Sequence, residues 1–94
     1  MTMILYVCDG EGPAIMELDH LLSNFNDTEA WKNMPATEPD IRYDVKERGW
    51  ATSYHDCGHF IIINLDDEIL KTLVTLTPDG WDGWTKDRFY GSSS

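Results

Sequence analysis

The sequence predicts an α+β domain, with an antiparallel sheet of about four strands packed against one main amphipathic helix and a short second helix. Three features predict it. Apolar residues recur at spacings of three and four between Ala14 and Phe25, the period of a single helix face. Several short runs rich in strand formers are bounded by turn residues. The length of 94 residues suits one core, since an independent domain takes about 50 to 200 residues.

Met3-Ile4-Leu5-Tyr6-Val7-Cys8 is an apolar run closed by the turn-prone Asp9-Gly10-Glu11-Gly12, which predicts a buried first strand. Pro13 suits a first helical position. Ala14, Ile15, Leu18, Leu21, Leu22 and Phe25 then form one stripe, so the main helix is expected from Pro13 to Phe25. Asn26-Asp27-Thr28-Glu29 offers a second N-cap, and Pro35 ends the short helix carrying Ala30, Trp31 and Met34. After the Pro35–Asp40 loop, Ile41, Tyr43 and Val45 alternate with Arg42, Asp44 and Lys46, the pattern of a half-buried strand. Trp50 to Tyr54 alternates as well, across the Arg48-Gly49 turn, and is expected to pair with it as a hairpin. Phe60-Ile61-Ile62-Ile63 is apolar at both parities, as a central strand covered on two faces should be.

Asp66-Asp67-Glu68 could open a capped helix, but Thr72, Val74, Thr75 and Thr77 favour an extended strand for residues 69–77. Pro78-Asp79-Gly80 turns the chain into an aromatic segment, Trp81 to Tyr90. Residues 1–90 are thus one acidic domain, and Gly91-Ser92-Ser93-Ser94 reads as a flexible tail, natural or vector-derived.

Charge restricts function more than any motif does. Seventeen acidic residues against seven basic ones leave a net charge of -10, which repels phosphate backbones and anionic membranes and attracts cationic proteins. No direct nucleic-acid or membrane contact is expected. Two cysteines with no C-x-x-C spacing are too few for a secreted disulfide scaffold, and no apolar run reaches membrane-spanning length. A cytoplasmic setting follows as the expectation.

His55, Cys57 and His59 alternate, and on one extended strand they would share a face and converge on zinc with Cys8 or His20 as a fourth ligand. The spacing fits none of the common zinc patterns, and Gly58 favours a turn that would scatter the side chains. Metal binding is therefore the alternative, and no cofactor is expected. Cys57 beside two histidines also has the elements of a thiolate nucleophile, without an oxyanion hole or a third orienting group. Gly10-x-Gly12 lies where phosphate loops occur, yet Asp9 and Glu11 would repel the phosphate.

Acids recur in every loop instead, at Asp9 and Glu11, Asp27 and Glu29, Glu38 and Asp40, Asp66 to Glu68, and Asp79 and Asp82. Spread over the turns of a folded domain, they place fixed negative points where a nucleic acid places phosphates. Trp81, Trp84, Phe89 and Tyr90 either fold back as a lid over the core, the favoured outcome, or form an aromatic hot spot inside an acidic rim. The expected partner-binding set is Asp66, Asp67, Glu68, Asp79, Trp81, Asp82 and Trp84.

In general character the chain resembles small inhibitors that bacteria and phages make against nucleic-acid-acting proteins. These include toxin immunity proteins, which cap a nuclease, and anti-CRISPRs, which mimic nucleic acid or block its channel. The resemblance implies a non-enzymatic, stoichiometric inhibitor of a basic nucleic-acid-binding protein or nuclease complex. A metal protein built on His55, Cys57 and His59, or a structural or regulatory subunit that self-associates through its aromatics, are the competing classes.

Overall fold

The computed structural model describes residues 2–26, 30–55 and 58–89. In chain order its elements are β1 (Met3–Cys8), β2 (Glu11–Glu17), α1 (Leu18–Asn26), α2 (Ala30–Asn33), α3 (Glu38–Glu47), β3 (Trp50–His55), β4 (Gly58–Asn64), α4 (Asp67–Val74) and α5 (Pro78–Phe89). The four strands form one antiparallel sheet in the order β2-β1-β4-β3. The fold is α+β, as the sequence predicts.

The sheet is the middle layer of three, because β1 and β4 are apolar at both parities and bury both faces. Ile4, Tyr6 and Cys8 join Phe60 and Ile62 on one face, beneath Leu18, Leu21, Leu22 and Phe25 of α1 and Ile41 and Val45 of α3. Leu5, Val7, Ile61 and Ile63 point the other way, beneath Leu73 of α4 and Trp81, Trp84 and Phe89 of α5. Phe60 to Ile63 are completely buried, each contributing about 1.5–3 kcal/mol of transfer free energy. β4 is thus the doubly covered central strand that the sequence indicates.

Four segments depart from the sequence expectations. The main helix starts at Leu18 and not at Pro13, because residues 11–17 return along β1 as an edge strand, with Ile15 opposite Leu5. Three β2 steps from Glu11 to Ala14 span two β1 steps from Cys8 to Tyr6. Pro13 lies in that bulge, on a strand that has a free edge, where a missing N–H costs least. The Asp9-Gly10 turn consequently joins two strands and opens no helix.

Residues 38–47 are a helix, where alternation predicts a strand. Ile41 and Val45 satisfy both periods, being two alternate steps or one helical turn apart, and only they are buried while Tyr43 stays 65% exposed. The start of the segment decides the outcome. The Asp40 carboxylate accepts hydrogen bonds from the Thr37 backbone N–H at 3.2 Å and from its hydroxyl at 2.8 Å, fixing the first turn. The Glu38–Arg42 and Asp44–Arg48 pairs follow at helical spacing. Gly49, at φ 88°, stops the helix, and β3 pairs with β4, not with residues 41–46.

Residues 67–74 are also a helix, against the strand expected over 69–77. Asp66 caps it, its carboxylate accepting from the Ile69 N–H at 2.8 Å. Thr72 and Thr75 donate their hydroxyls to the carbonyls of Glu68 and Thr72, so these poor helix formers fit the helix and its end. The aromatic segment becomes α5, with Trp81, Trp84, Thr85 and Phe89 along its inner side. Among the described residues no helix is long and apolar enough to cross a membrane.

Candidate partner-binding face

Each helix on the second face of the sheet begins with acids, and those acids are what the fold presents. Asp66 caps α4, Asp67 and Glu68 occupy its first turn, and Asp79 lies in the first turn of α5. Carboxylates are favoured there because the N-terminal N–H groups carry partial positive charge. All four are exposed. Asp82 differs, being half-buried and 3.3 Å from Lys86.

The two tryptophans of the expected set are held elsewhere. Trp81 and Trp84 pack on the second core with Trp50 and Phe89, and the Trp81 indole N–H donates to the Leu73 carbonyl at 3.0 Å. They form the lid that was favoured for this segment. Phe89 completes it, its ring centroid 5.0 Å from that of Trp50. Tyr90 lies outside the described residues.

Three of the four ion pairs among the described residues lie around α1 and α3. Arg42 bonds Asp19 at 2.7 Å and Glu38 at 3.3 Å, and Arg48 lies 3.8 Å from Asp44. Arg42 is consequently held above the ordinary guanidinium range, first by the Asp19 hydrogen bond. Hydrogen bonds from Thr37 hold the Asp40 carboxyl below its ordinary value. No ion pair among the described residues involves Asp66, Asp67, Glu68 or Asp79.

Sequence reasoning missed the apolar residues between these groups. Leu70 and Val74, one turn apart on α4, are 43% and 72% exposed, and Leu76 follows with its side chain over the first turn of α5 beside Gly80. The eight residues of α4 place about 12 Å of rise between the Asp66 group and the α4–α5 connection. The result is a small apolar strip with carboxylates at both ends. Its signal was present in the i, i+4 spacing of Leu70 and Val74, and was hidden by reading the segment as a strand.

The histidines do not converge. β3 and β4 form a hairpin in which Tyr54 is opposite His59 and His55 opposite Gly58. Adjacent positions on a strand face opposite sides, so the two imidazoles lie on opposite faces of the ribbon. His55 turns toward the first core, stacking on Phe60, with Nε2 3.0 Å from the Tyr6 hydroxyl and 4.0 Å from Cys8 Sγ. His59 is exposed beside Tyr54. His20 lies exposed on α1, and Cys57 lies outside the described residues. The shared face expected for the metal alternative requires one extended strand, and the chain reverses there instead. Among the described residues no three His, Cys, Asp or Glu side chains are grouped to hold a metal ion.

No protein-family model, curated protein or solved structure matches this chain.

Proposed function

We propose that this protein is a stoichiometric inhibitor of a basic nucleic-acid-acting protein, of the phage anti-defence or toxin-immunity kind, that works by blocking or mimicking nucleic acid in the cytoplasm. The observation that carries the proposal is the uneven charge pairing. Arginines neutralise acids around α1 and α3, whereas Asp66, Asp67, Glu68 and Asp79 stand exposed without an ion-pair partner among the described residues. Uncompensated carboxylates on fixed helix starts steer a cationic surface toward that face and set its register. Leu70 and Val74 supply the apolar contact between them, in the place that Trp81 and Trp84 were expected to fill.

Charge reversal tests it. Asp67→Lys, Glu68→Lys and Asp79→Lys together leave the Asp66 cap in place, so α4 keeps its start. The affinity of the triple variant for its partner should fall at least about tenfold, chiefly through slower association. An unchanged affinity in a variant that melts like the parent would contradict the electrostatic account.

A further inference from the structure

Leu70, Val74 and Leu76 are three of the seven large hydrophobic side chains exposed among the described residues, and they fall within seven consecutive positions. Exposed apolar residues scattered singly are ordinary, whereas a group of them rimmed by polar residues marks a contact surface. α4 rests on the sheet through the fully buried Leu73 and the partly buried Ile69. Leu70 and Val74 are left to the outer side.

Charge along this strip is predominantly of one sign. From Asp66 to Gly80 the chain carries four carboxylates, Asp66, Asp67, Glu68 and Asp79, against one cation, Lys71. Three of the acids stand at the start of α4 and the fourth in the first turn of α5. The apolar residues between them follow α4 and the α4–α5 connection, over a helix rise of roughly 12 Å.

These features select the occupant. A second copy would set carboxylates against carboxylates, and a nucleic acid or an anionic membrane is repelled. The outer side of a helix is convex and leaves a small molecule largely in water. An extended segment finds no sheet edge here, because the main chain of α4 bonds to itself, and its own N–H and C=O groups would be covered without partners. A helix arrives with those groups already paired.

We infer, resting on the inhibitor reading of this face, that the partner element seated on the strip is a cationic amphipathic helix. Its apolar stripe lies across Leu70 and Val74, and Lys or Arg residues at its two ends face Asp66 to Glu68 and Asp79.

The probe is an amidated peptide of about 18 residues, long enough to hold a helix, with leucines along one helical face and lysines at both ends, titrated into the full chain. Binding should saturate, move the backbone amides from Ile69 to Leu76 and raise the helicity of the peptide. It should weaken at least about tenfold in a Leu70→Gln, Val74→Gln double variant, whose fold is checked by melting. A peptide of the same composition with its leucines spread around the helix should bind at least about tenfold more weakly. Equal binding of that peptide, shifts centred away from α4, no gain of helicity, or an unaffected double variant overturns the helix. The two readings fail separately. A host partner that is lost on combined Asp67→Lys, Glu68→Lys and Asp79→Lys substitution, with no preference between the peptides, removes the helix and keeps the inhibitor; an acidic host partner held equally at low and high salt removes both.

Discussion

The indole N–H of Trp81 donates to the main-chain carbonyl of Leu73 at 3.0 Å, tying the first turn of α5 to the last turn of α4. Leu73 lies where a helix runs out of N–H partners for its carbonyls. That carbonyl already accepts the Leu76 N–H at 3.0 Å, and Trp81 supplies its second donor while its ring covers the second core. Through that bond the two acid-bearing helix starts are held in a fixed relation across the α4–α5 connection.

Truncating the ring should therefore damage folding before it damages binding. Trp81→Ala is expected to cost about 3 kcal/mol, and Trp81→Phe, which keeps most of the ring and loses the N–H, about 1 kcal/mol. Denaturant unfolding of the two variants measures both. Full stability in Trp81→Ala would show that the ring is not a lid.

Thr85 is completely buried on α5, and its hydroxyl has no hydrogen-bond partner among the described residues. Thr85→Val replaces that hydroxyl with a methyl of similar size and should raise stability by about 1 kcal/mol. A lower melting temperature would mean that the hydroxyl is bonded.

Acid should loosen the start of α3. Hydrogen bonds from Thr37 lower the Asp40 carboxyl in the folded chain relative to its ordinary value. Its stabilising contribution is present above the unfolded value and disappears as the pH falls through the lowered folded one. Asp40→Asn should remove this component of the acid dependence, over roughly pH 2 to 5, as followed by the amide signals of Thr37 and Ile41. An unaltered acid profile at those amides would contradict the capping account.

Gly49 adopts φ 88° between α3 and β3, a backbone state unfavourable for any residue with a Cβ. No atom would crowd an added Cβ there, so the cost of Gly49→Ala is conformational alone, at about 1 kcal/mol. Chemical denaturation of this variant against the parent measures it. No change in unfolding free energy would place the strain elsewhere.

The sequence was most legible where pattern and flanking turn residues agree. Leu18 to Phe25 follow the period of a helix face, and Phe60 to Ile63, apolar at both parities after the turn-prone Gly58, read as a doubly covered strand. It was ambiguous where one set of residues serves two periods: Ile41 and Val45 are spaced equally well for a strand or a helix, and the capping bonds of Asp40 and Asp66 settled α3 and α4. Pro13 was misleading because an edge bulge tolerates it as readily as a first helical turn does. The acids of the candidate face stand out in the sequence as loop residues, and only the structure places Asp66, Asp67, Glu68 and Asp79 at helix starts. Leu70 and Val74 were not legible, since their exposure depends on the sheet face that α4 covers.

The central claim is that the unpaired acids of α4 and α5 engage a cationic, nucleic-acid-acting partner, and affinity capture from the native host at low and at high salt tests it most directly. The account predicts a basic nuclease or nucleic-acid-binding complex, recovered in stoichiometric amount, released by salt, and inhibited when the protein is added back. Recovery of nothing, or of an acidic partner held equally at both salt concentrations, would contradict it.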